Sequence, residues 1–117
     1  MKIAIKRIYA DAAPDDGQRV LIDRLWPRGI RRDDAAIDEW LREAAPSPAL
    51  RRWFGHDPAR WDEFRRRYRA ELLAEPAATA VQHLRTLARR QPVTLLYAAR
   101  DEVHNHAVVL REHLETD

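Results

Sequence analysis

The chain has 117 residues, a size that supports one hydrophobic core and is too short for two. Hydrophobic residues make up 45% and charged residues 34%, a balance that excludes a disordered tail, and the cysteine count of 0 excludes disulfides, thiolate zinc sites and cysteine nucleophiles. The formal net charge is only +2 despite a pI near 9.4, because just Lys2 and Lys6 of the 21 basic residues are lysines, so charge argues weakly for a nucleic-acid partner.

The N-terminus alternates polar and apolar residues from Met1 to Lys6, without the apolar run of a signal peptide. No stretch approaches the roughly 18 apolar residues of a membrane span, so a cytoplasmic protein without membrane contact is expected. Ile3, Ile5 and Ile8 with Tyr9 predict a first strand, and Pro14, Asp15, Asp16 and Gly17 a turn after it. Arg19 to Trp26 predicts a second strand, whose apolar run Val20, Leu21, Ile22 suits a strand covered on both faces. Pro27-Arg28-Gly29 ends it.

A helix capped by Asp33 or Asp34 is predicted next, with Ile37, Trp40, Leu41 and Ala44 at helical spacing. Ser47-Pro48 and Asp57-Pro58 each read as a helix start, with the polar residue at N-cap and proline at N1. Trp61, Phe64, Tyr68 and Leu72 form one stripe, and after a break at Pro76 so do Ala80, Val81, Leu84 and Ala88. Pro92 to Tyr97 predicts a third, buried strand. A last helix carries Val103, Ala107, Leu110 and Leu114. Strands separated by helices predict a single α/β domain over residues 1–117: a small three-layer parallel or mixed sheet flanked by helices, Rossmann-like in general architecture.

In open α/β sheets ligands bind beyond the carboxyl ends of the strands. Two polar clusters follow strands here, Asp23 to Gly29 and Tyr97 to His106, and they share one crevice if the strands are neighbours. In the first, Arg24 and Arg28 could grip a phosphate or carboxylate while Trp26 stacks on a base or sugar. In the second, Asp101 could orient His106 as a general base, or simply cap a helix. His104 and His106 are two apart and diverge on a regular helix, so no metal site is expected and a divalent metal is disfavoured. His56 lies in a tight connection between an aromatic pair and a proline-started helix, where polar loop residues often join a site. Arg65, Arg66, Arg67 and Arg69 spread around the helical wheel, with Asp62 and Glu63 four residues before Arg66 and Arg67, which describes a solvated face. The chain has no P-loop, GxGxxG, GxSxG or HExxH, and no cofactor is expected.

The words DRLWPRG, APSPALRRWFGHDPARWDEFRRRYRAEL and PVTLLYAARDEVHNHAVVL resemble, in order and spacing, the bacterial YeaO-like family, domain of unknown function 488. The resemblance covers essentially the whole chain and implies a short three-layer α/β fold, but no established activity. It implies shared polar positions at Arg7, Asp23, Arg24, Pro27, Arg28, His56, Asp101 and His106. Longer relatives carry a cysteine-containing version of the third block where Tyr97 and Asn105 stand here, so a thiol mechanism cannot operate in this chain.

The expected function is binding of a phosphate-bearing small molecule, a nucleotide or nucleic-acid end, with Arg7, Arg24, Trp26, Arg28, Tyr97 and Asn105 as ligand contacts. Acid–base chemistry would fall to His106, His56, Asp101 and Asp23. The alternative is a non-catalytic ligand- or nucleic-acid-binding regulatory module. A closed pocket holding His and Asp favours the first, and an open basic stripe the second.

Overall fold

The structure is a computed structural model that describes residues 1–116. It contains strands β1 (Ile3–Arg7), β2 (Gln18–Leu21), β3 (Glu39–Trp40) and β4 (Val93–Tyr97). The helices are α1 (Pro48–Phe54), α2 (Trp61–Leu72), α3 (Ala77–Arg90) and α4 (His106–Glu115). The strands form one parallel sheet in the order β1-β4-β2-β3, an α/β fold. Leu95 of β4 is in register with Ile5 on one side and Val20 on the other. All five residues of β4 are buried, as a central parallel strand requires.

Side-chain alternation divides the sheet between two cores. Val20, Ile22, Val93, Leu95 and Tyr97 face the larger one, and all four helices pack on that face. The third layer, expected to be helical, is coil. Leu21, Leu96 and Ile8 on the other face are covered by Trp26, Ile30, Ile37 and Trp40. Trp26 and Trp40 meet edge to face at 5.2 Å, while Arg32 lies over Trp26 and Arg42 over Trp40.

The helix expected after Asp33 is therefore absent. In its place stand coil, the two-residue β3 and a 3-10 turn at Arg42–Ala44. Leu41 and Ala44 join the helical core, whereas Ile37 and Trp40 join the coil-covered one. Four apolar residues at helical spacing thus serve opposite faces of a sheet, which no single helix could do. The second strand also ends earlier than expected, at Leu21.

The proline-started helices follow their local signals. The Ser47 hydroxyl accepts from the Leu50 amide at the start of α1, and Asp57 accepts from the Ala59 amide before α2. Glu71 of α2 accepts from both the amide and hydroxyl of Ser47, which ties the two helices together. Gly17 precedes β2 at φ 66, and a Cβ there would lie 2.1 Å from the Pro92 carbonyl oxygen, so only glycine fits. Beside it, the Asp16 carboxylate is buried and accepts from Lys6, Arg19 and the Ala13 amide.

On α2, Arg66 and Arg67 pair with Glu63, while Arg65 and Arg69 pair with Glu112 of α4. The basic run forms ion pairs with acidic neighbours rather than a free stripe. Among the described residues, no helix is long and apolar enough to cross a membrane.

Candidate functional site

Because β2 and β4 are neighbours, the segments leaving their carboxyl ends face each other. They enclose a crevice of about 530 Å³, completed by the end of α1 and the start of α4. Asp23, Arg24 and Leu25 enter it after β2, and Ala98 to Asp101 after β4. Asn105 and His106 reach it from the start of α4. Arg51, Phe54 and His56 come from α1 and the turn behind it, and Phe64 from α2.

Asp23 and His106 form the most enclosed polar pair of the crevice. His106 Nε2 lies 3.0 Å from the Ile22 carbonyl and 3.1 Å from Asp23 Oδ1. Two acceptors around one ring nitrogen require that Nε2 carry a proton. Asp23 Oδ2 accepts from the Ala98 amide at 3.0 Å, bridging the two post-strand segments. Asp23 Oδ1 is buried and lacks an aligned donor, because the Nε2 proton is directed at Ile22.

Asp101, expected to orient His106, is engaged elsewhere. Its carboxylate accepts from the His104 and Val103 amides and from the His104 ring. Those donors hold its carboxyl down at about 2. It is thus ionised at neutral pH and folds its own turn. The cap of α4 is Asn105, whose Oδ1 accepts from the Val108 amide while Nδ2 donates to the Asp101 carbonyl. His104 stands edge-on to Trp61, apart from the Asp23–His106 pair. Among the described residues no group of three or more His, Cys, Asp or Glu is placed to hold a metal ion.

Several other expected contacts lie outside the crevice lining. Trp26 packs in the coil-covered core and donates its indole N–H to the Ile30 carbonyl at 2.7 Å. Arg28 is exposed, and only its carbonyl is engaged, by the Tyr9 hydroxyl. Tyr97 is buried in the helical core, where burial pushes its phenol pKa up. Arg7 donates to the carbonyls of Ala98 and Ala99, and so positions the post-β4 segment from behind.

Arg24 does line the crevice, against the carbonyls of Ala45 and Pro46, and Arg51 and Arg100 join it there. None of the three pairs with a carboxylate among the described residues. Arg51 and Arg100 were not among the expected contacts. Arg51 stands three residues before Phe54 on α1, the helical spacing for a shared face, and Arg100 follows directly on the end of β4.

Over residues 2–117 the chain matches a family model described as the inactive DUF488-N3 subclade. It is 43% identical to the protein YeaO of Escherichia coli strain K12 over 116 residues, covering 99% of each chain. It is 45% identical to a protein of Mycobacterium tuberculosis strain H37Rv over 111 residues, 95% of this chain and 92% of that one. Both relatives are described as uncharacterized. No solved structure matches the chain significantly.

Proposed function

The chain belongs to the DUF488 family, in its YeaO-like branch, and from that premise we propose that the crevice binds a phosphate-bearing small molecule without transforming it. The convergence of Arg24, Arg51 and Arg100, each without a carboxylate partner, carries this reading. A guanidinium offers a planar fork of donors suited to phosphate oxygens, and three around one cavity compensate for the Asp23 and Asp101 charges beside them. The match to a subclade described as inactive supports binding over turnover. The concave crevice and the paired arginines of α2 favour a small molecule over a nucleic-acid strand. A cytoplasmic setting, without cofactor, is part of the same proposal.

The test is thermal denaturation with nucleoside monophosphates and sugar phosphates, on wild type and on Arg51→Ala/Arg100→Ala. A ligand at a hundred times its dissociation constant adds about 2.7 kcal/mol of stability. The double variant should melt like wild type alone and lose that gain. Equal ligand responses in the two proteins would overturn the reading.

The Asp23–His106 pair favours a second reading, in which His106 moves a proton on a bound phosphate ester. Release of inorganic phosphate by wild type but not by His106→Ala would establish it. Stoichiometric binding with no release supports the first.

A further inference from the structure

The crevice is larger than its anion alone requires, and part of its lining is apolar. A phosphate group has five heavy atoms and displaces only a few waters of about 30 Å³ each, a small part of the 530 Å³ available. Cavities of roughly 300–1,000 Å³ ordinarily enclose a drug-sized organic molecule. The lining combines charged and apolar residues. Arg24, Arg51 and Arg100 supply cationic groups, while the largely buried Phe54 and Phe64, stacked at 4.3 Å and 23°, add a small aromatic part. Ala45 and Pro46 add apolar wall.

Leu25 belongs to the same lining and is 59% exposed. Asp23, two residues before it, is fixed at both ends, its carbonyl accepting from the Trp40 indole at 2.7 Å and its carboxylate from the Ala98 amide. A large apolar side chain is thus held at the lip of a crevice with nothing over it.

We infer that the ligand is an organic phosphate monoester with an apolar or aromatic body, and that Leu25 determines this specificity by closing over that body. The inference rests on the anion-binding reading above and adds the part of the ligand that no arginine contacts. The anion supplies orientation, and burial of the body against Leu25 and the apolar lining supplies most of the selectivity.

Isothermal titration with inorganic phosphate, glycerol phosphate and phenyl phosphate tests it, on wild type, Leu25→Ser and Arg51→Ala. Phenyl phosphate should bind wild type at least tenfold more tightly than glycerol phosphate. Leu25→Ser, at an exposed position, should keep the wild-type melting temperature and bind inorganic phosphate equally. It should lose roughly fivefold in affinity for phenyl phosphate. Equal affinities for the three anions, all weakened by Arg51→Ala, would overturn the apolar body and leave the anion site standing. Tight phenyl phosphate binding unaffected by Leu25→Ser would overturn the role of Leu25. Failure of all three to bind would remove the anion reading and this inference with it.

Discussion

His56 follows the left-handed Gly55 cap of α1 and itself adopts φ 55, a conformation that costs a side-chain-bearing residue roughly 1–2 kcal/mol. That strain holds an imidazole at the mouth of the crevice. His56→Gly should raise stability to urea by about 0.5–1 kcal/mol and weaken ligand binding; a loss of stability would show that the ring makes packing contacts worth more than the strain. Arg28 offers the converse case. It is exposed and outside the crevice lining, so Arg28→Ala should change stability by less than about 0.5 kcal/mol and leave the ligand-induced thermal shift intact. Asp16 carries a pH signature instead. Donors from Lys6, Ala13 and Arg19 lower its carboxyl from 3.8 to about 2. A depressed carboxyl contributes stability that is complete above 3.8 and is lost as pH falls toward 2. Acid unfolding of wild type should therefore show a component in that window that Asp16→Asn lacks. The variant should also be about 3 kcal/mol less stable at pH 7, because Arg19 keeps a buried charge without its partner.

Among the elements, α2 carries the clearest division of labour. Phe64, Tyr68 and Leu72 are buried, whereas Trp61 is only half-buried at the edge of the core. Phe64→Ala should cost about 3–5 kcal/mol in urea unfolding, and Trp61→Ala distinctly less, although the two residues share one stripe in the sequence. This helix was legible because its apolar stripe faces one core and Asp57-Pro58 marks its approach. The segment from Ile37 to Ala44 misled for the opposite reason, since its apolar residues are shared between two cores. The strand ends were legible as the location of a crevice. Its chemistry was legible only in part, because adjacency in sequence does not decide which way a side chain leaves a loop. Asp101 turned to its own backbone and Trp26 to the coil-covered face, while Arg51 entered from a helix that carried no polar motif.

For the molecule as a whole, the crevice draws on the segments that follow β2 and β4 and on α1, α2 and α4, so it forms only when β2 and β4 have paired beneath the helices. A ligand there should stabilise global unfolding rather than a local opening. The sheet order has a consequence for biosynthesis. The strand that occupies the centre, Val93–Tyr97, is the last of the four to leave the ribosome, and both Ile3–Arg7 and Gln18–Leu21 must pair with it. Until Tyr97 emerges, the nascent chain can preassemble α1 and α2, tied by Ser47 and Glu71, with α3 and the two-residue pairing of β2 with β3, but β1 has no strand to pair with. Vectorial translation therefore gives the sheet no more than the short β2–β3 pairing in advance, and β1 and the other edge of β2 await β4 with apolar side chains uncovered. Ribosome-stalled chains ending before Val93 should be cleaved readily by protease within residues 3–21, and chains extended beyond the exit tunnel past α4 should resist. Equal protection at both lengths would mean that the early strands find a partner other than β4.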